Sequence, residues 1–297
     1  MKLKGLAKFR EKTPALAGKK ILLLPLYIIG VVISSLLLLV FFDNFPLIVA
    51  ANTNTFIGML SVLSPILGVL LMLCIGLILV YQVWYHRDRL KEQYEHLAYQ
   101  KIFLVGFGGV FILISVSIHN VISILTWQES FWTQAPFSFF TISLTSLIPV
   151  GHSLISLLRV IVGILTVILG ILLIIRAFFT FGIDYMAVVY LYFPEESNLQ
   201  DHRIYSILRH PAYAGSLMVC LGGIILQLNL YSVIFFILYY LALYIHIHYV
   251  EERELIHRFG ESYKIYRDTT RAFFVKLTDI DKLLAFIIGK DKPVQSS

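Results

Sequence analysis

Two short stretches of this chain hold side-chain types that do chemistry together. The first is Arg209-His210-Pro211-Ala212-Tyr213-Ala214-Gly215, preceded by Tyr205. The second opens on Glu251-Glu252 and runs through Phe259-Gly260 to Tyr263 and Tyr266. Pro211 fixes its own φ and suits the first position of a helix. It also pushes His210 toward extended backbone. Arg209 and His210 therefore belong on a loop before a helix N-terminus, where free N–H groups and the positive dipole end suit an anion such as a carboxylate. Gly215 leaves room for something bulky beside the backbone. Tyr213 offers a ring and a hydroxyl. The plainer reading is an interfacial Arg/His/Tyr group that marks where a span begins.

The second stretch ends a polar stripe. Tyr240, Tyr244, His248 and Glu252 recur at spacing four, on one side of a helix. Of the adjacent pair Glu251-Glu252, one carboxylate would face the protein and the other water. The plainer reading is snorkelling at a helix exit, with Glu251 or Glu252 paired to Arg253 or Arg258. His246 and His248 stand two apart and point apart on a helix, so no metal site is expected. Gly260 fits a helix C-terminal cap. Tyr263 and Tyr266 share a face of a short following helix. Polar groups are costly near a bilayer, so such a cluster marks a functional site by default.

The rest of the chain supplies the bilayer setting. Of 297 residues, 58% are hydrophobic and 14% charged, against about a quarter charged in soluble domains. Several apolar runs exceed about 18 residues. The expected fold is all-α: a polytopic membrane helical bundle of about six spans, because lipid offers the backbone no partners. The expected spans are 21–42, 56–83, 102–127, 149–180, 212–230 and 231–250. The first is longer than a signal-peptide core and is read as retained. Asp43-Asn44-Phe45-Pro46 ends it, Trp84, Tyr85 and Trp127 are interfacial anchors, and His86–Lys101 is a charged loop. Three regions follow: 1–148 with three spans and no recognised motif, a core over 149–275 whose C-terminal hairpin carries both stretches, and a tail over 276–297. In the tail, Leu277–Ile288 alternates Asp and Lys with apolar residues and reads as an amphipathic helix on the membrane surface.

Lys and Arg concentrate in the N-terminus, the 84–101 loop, the 181–210 segment and the C-terminus. The positive-inside rule then places both termini, and the two stretches, in the cytoplasm. A net charge of +6 fits an anionic leaflet rather than nucleic acid. Cys74 and Cys220 make no disulfide framework and are read as core packing. His119, Asn120 and Arg159 are read as bridges between helices.

The two-part motif resembles the isoprenylcysteine carboxyl methyltransferase family and the phospholipid N-methyltransferases of the same superfamily. It comprises Arg209-His210-Pro211-x-Tyr213-x-Gly215, then Glu251-Glu252-x-x-Leu255-Ile256-x-x-Phe259-Gly260-x-x-Tyr263-x-x-Tyr266. Arg176-Ala177-Phe178-Phe179-Thr180-x-Gly182 resembles the preceding family segment, so the likeness covers roughly 155–272. The chain departs from the family at Thr269–Phe273, where a Pro-containing segment is common. It also has His246 and His248 where the carboxyl methyltransferases carry Arg. The resemblance implies an integral membrane enzyme using S-adenosylmethionine, with the acceptor's lipid tail entering from the bilayer.

Carried over, Tyr205, His210, Pro211, Tyr213 and Gly215 shape the cofactor pocket. Glu252, with Glu251, holds the adenosyl or amino end, and Arg209 pairs with a carboxylate. The expected acceptor is an isoprenylcysteine carboxylate or similar, methylated on oxygen; this needs no base. An amine acceptor must lose a proton, which His248 or Glu251 could take. The alternatives are a phospholipid or small-molecule N- or S-methyltransferase and an NADPH-dependent reductase of the sterol reductase type. A transporter, which would want broken helices and repeats, is the remaining one.

Overall fold

The computed structural model describes residues 4–16, 18–50, 61, 63–126 and 152–290. The start of the second expected span (56–60), Trp127, the 128–148 segment and the last tail residues lie outside them. The helices are α1 (Leu6–Lys12), α2 (Leu23–Ala50), α3 (Ser64–Tyr85), α4 (Arg87–Tyr94), α5 (Ala98–Thr126) and α6 (His152–Phe181). They continue as α7 (Pro211–Gln227), α8 (Leu230–His246), α9 (Glu252–Phe259), α10 (Glu261–Thr269) and α11 (Ile280–Ile287). A π-helical turn, Ile247–Glu251, joins α8 to α9. Among the described residues there is no named strand, only a parallel bridge between Leu208 and Arg271. The chain is an all-α membrane bundle.

Among the described residues, five helical stretches are long and apolar enough to cross a membrane: 20–46, 64–85, 87–123, 154–181 and 230–259. The remaining expected span, the fifth (212–230), is α7, with 17 residues. At 1.5 Å per residue it reaches about 26 Å, slightly short of a hydrocarbon core. α7 packs against α5, α6 and α8. Two expectations need correction. The helix of the first span does not end at Asp43 but runs through Pro46 to Ala50. Asp43 is buried and bonded to His119 of α5 at 2.8 Å, so it does not mark a solvated helix end. The 86–101 loop is largely helical, because α4 and the first turn of α5 occupy it.

The broadest interface joins α6 to α7, and glycines set it. A Cβ on Gly170 would stand 2.6 Å from the Gly215 carbonyl oxygen, and one on Gly215 would stand 2.7 Å from that of Gly170. The two backbones therefore touch, as small residues permit where lipid gives helices no hydrophobic drive to associate. At the far end of the hairpin, Asn229 caps α8 by accepting from the Ser232 amide at 2.9 Å. Asn120 of α5 donates to the Cys220 carbonyl at 2.9 Å, and Gln227 donates to Ser123 at 2.8 Å. His119 and Asn120 thus bridge helices as expected.

At the other end, α1 packs Phe9 on Phe103 and reaches Glu196 with Lys8 and Lys12. The bond from Lys8 holds the Glu196 carboxyl below its ordinary range, and Glu196 raises Lys8 in return. A depressed carboxylate contributes stability present above its unfolded value, near 4.3, and lost as pH falls through the folded one. A raised lysine contributes below about 10.4 and loses it as pH rises through the folded value. Protection of Leu6–Lys12 against hydrogen exchange, taken relative to the intrinsic rate at each pH, should therefore be greatest between about pH 5 and 10 and fall on either side. For the interface, Gly170→Val should cost about 1–3 kcal/mol through overpacking. Its denaturation midpoint in detergent should fall, while Gly30→Val, with nothing within 4 Å, should leave it unchanged.

Candidate active site

The N-terminus of α7 meets the C-terminal end of α8. Pro211 is the first residue of α7 and His210 its cap, so Arg209 and His210 lie on the loop before it. That loop is clamped from the far side. Arg209 N–H donates to the Arg271 carbonyl at 2.8 Å and His210 N–H to that of Ala272 at 3.2 Å. The Arg209 guanidinium donates to the Arg267 carbonyl, and the Tyr266 hydroxyl donates to the Tyr205 carbonyl at 2.6 Å. The segment after α10, where the chain departs from the family pattern, therefore holds the Arg-His-Pro loop.

Both carboxylates of the acidic pair face this loop. Arg209 Nη2 lies 2.9 Å from Glu252 Oε1. His210 Nε2 lies 3.5 Å from the same oxygen, and its Nδ1 lies 3.6 Å from Glu251 Oε2. The Tyr213 hydroxyl donates to Glu251 Oε1 at 2.5 Å. The Glu251 and Glu252 side chains are only 17% and 6% exposed. The expectation that one would face water fails. Their partners on the loop hold both inward, and the π turn helps: its i to i+5 bonds fit an extra residue into the turn. Neighbouring side chains then diverge by less than the roughly 100° of an α-helix.

The same turn exchanges the roles of the two histidines. Residues five apart align across a π turn, and buried His246 lies 3.4 Å from Glu251 Oε1. His248, expected beside the reacting atoms, is 49% exposed and only 3.9 Å from Glu252 Oε2. The stripe does form as a ladder of rings, with Tyr240–Tyr244 at 6.2 Å and Tyr244–His248 at 5.6 Å. Two more expected residues turn elsewhere. The space beside Gly215 is filled by α6. The Tyr205 ring stacks on Phe181 at 4.7 Å, leaving its carbonyl to tie Tyr266.

Three buried polar atoms of this cluster have no hydrogen-bond partner among the described residues: Arg209 Nε, the Tyr263 hydroxyl and His246 Nε2, whose contact with Glu251 is an ion-pair distance only. Burial, then the charge of Glu252, pushes the Tyr263 phenol up, so it remains a proton donor throughout the working range. Residues missed from sequence are His246, Tyr263 as a polar group, and Phe273, whose ring lies 6.3 Å from His210. The sign for Tyr263 was present in its spacing from Tyr266; none marked Phe273.

Residues 158–262 match the family model described as Phospholipid methyltransferase. The family that this model describes is part of the superfamily of phospholipid and isoprenylcysteine carboxyl methyltransferases. It contains the whole Arg209–Glu252 cluster, while Tyr263, Phe273 and the first three expected spans lie outside it. No curated protein matches, and no solved structure matches. Over that segment the chain is similar to membrane methyltransferases that act on lipid-like substrates.

The cluster's pairing is testable on stability alone. Glu252→Ala leaves the Arg209 guanidinium buried without its countercharge and should cost about 3–5 kcal/mol. Adding Arg209→Ala should return part of that loss in a double-mutant cycle of denaturation midpoints. Additive losses would mean that the two side chains do not interact.

Proposed function

We propose that this chain is an integral membrane methyltransferase that uses S-adenosylmethionine and methylates a polar group carried on a lipid chain. The observation that carries the proposal is the direct contact of Arg209, His210 and Tyr213 with Glu251 and Glu252. Two carboxylates stand against one guanidinium, so the cluster holds excess negative charge where water is scarce. Such a site favours a cation, and the donor brings a sulfonium and an ammonium. Arg209 Nε and the Tyr263 hydroxyl, buried and without partners, fit the donor's carboxylate. Glu252 fits its amine, and Glu251 stands beside it.

When bound, S-adenosylmethionine supplies a methyl group on a positively charged sulfur. The protein's part is positioning and exclusion of water, the former worth up to about 7–11 kcal/mol of barrier. Tyr213 and His246 fix the Glu251 carboxylate from two sides. Phe273 and Tyr240 pack at 6.0 Å beside His210, giving the site an apolar wall. The reacting ends would face the cytoplasm, where basic loops gather.

The first acceptor reading is an isoprenylcysteine-type carboxylate, which needs positioning and no base. The second is a lipid amine. The family match favours it, and so does the buried His246–Glu251–Tyr213 chain, since an amine must release a proton. Labelled methyl from S-adenosylmethionine should pass into the lipid fraction of a membrane extract only when this protein is present. Mild alkali should release the label as methanol if the product is an ester and leave it in place if the product is an N-methyl amine. Absence of label from every lipid product would remove the proposal.

A further inference from the structure

Beyond the reacting cluster, a cavity of about 310 Å³ lies between the end of α3 and α9. Tyr81, Trp84 and Arg87 line one side, and Tyr249, Arg253 and His257 the other. Three of its eight lining residues, Tyr81, Trp84 and Arg87, lie outside the family match. The cavity sits at the same end of the bundle as the reacting cluster. Trp84 forms both its wall and an edge contact, 5.5 Å, with His246. Tyr81 and Tyr249 are exposed, as aromatics are at the level of lipid head groups.

The cavity is lined by two guanidinium groups, Arg87 and Arg253, against one carboxylate, Glu254. Arg87 is already engaged, at 2.9 Å from both Glu254 and Asp88. Arg253 is different: among the described residues no carboxylate pairs with it, and its guanidinium lies 5.6 Å over the Tyr249 ring. His257, four residues on, shares its helix face. A neighbouring cavity of about 390 Å³ beyond the Arg87–Glu254 pair is lined by both signs, with Lys91 and Arg258 against Asp88 and Glu195. It selects no charge.

We propose that the α3–α9 cavity binds the anionic head group of a membrane lipid, with Arg253 as its charge partner and His257 as a hydrogen-bond donor. An unpaired cation beside the bilayer attracts anionic lipid, and a guanidinium matches phosphate oxygens in the plane of its fork. A zwitterionic head group would bring its own cation against Arg87 and Arg253. The site is independent of the methyl-transfer reading and stands or falls separately.

The test uses the full chain with Trp127→Phe and Trp132→Phe, leaving Trp84 as the fluorophore, in phosphatidylcholine nanodiscs. Raising the phosphatidylglycerol fraction should shift Trp84 emission saturably. Arg253→Gln should weaken that response about tenfold or more, and Arg253→Lys should recover part of it. His257→Gln should weaken it less. Arg253 and His257 are both exposed, so the variants should keep the parent's denaturation midpoint. A response equal in the parent and Arg253→Gln would overturn the proposal. So would saturation by millimolar inorganic phosphate in pure phosphatidylcholine discs, which would assign the cavity to a soluble anion.

Discussion

Two neighbouring glutamates share one buried surface, on a helix wound with an extra residue where it carries them. The π turn at Ile247–Glu251 narrows the angle between their side chains, and Tyr213 holds Glu251 on that surface. Charges that leave water must find partners, and breaking such a pair strands the survivor. Arg209, His210 and Tyr213 are those partners, so the start of α7 is tied to the end of α8. The rest of the fold serves that meeting. The Gly170–Gly215 contact seats α7 on α6. The Asn229 cap and the Gln227 bonds fix where the hairpin turns. The strand-like segment after α10 presses the Arg-His-Pro loop from behind.

The N-terminal half is not a separate layer. α3 packs against α8, and α5 against α7. Trp84 touches His246, which in turn stands against Glu251. Arg87 bonds Glu254 across the same seam. A change of side chain on α3 can thus reach a carboxylate of the site through one histidine. At the opposite end, buried Asp43 and His119 join α2 to α5 at 2.8 Å, so the first span is held by polar bonds as well as by packing.

Much of this was legible in the residues. Pro211 announced the helix start and placed Arg209 and His210 on its loop. Apolar run lengths gave the bundle, and Gly260, with a φ of 57°, ends α9 as its type suggests. What escaped has a common cause. Sequence periodicity assumes α-helical spacing, which puts His248 above Glu252; the π turn breaks that phase and puts His246 against Glu251 instead. Nothing local in the sequence declares a π turn, because tertiary partners select it. Gly215 was read correctly as a close approach, but the bulky neighbour is a helix. The continuation of α2 through Pro46 was hidden because the partner of Asp43, His119, lies 76 residues away.

The central claim is that the Arg209–Glu252 cluster binds the methyl donor. Calorimetric titration of S-adenosylmethionine into the detergent-solubilised full chain measures it directly, with Tyr263→Phe as the mildest perturbation. The account predicts saturable binding in the parent and clearly weaker binding in the variant at unchanged helicity. Undiminished affinity in Tyr263→Phe together with Arg209→Lys, or no binding by the folded parent, would contradict it.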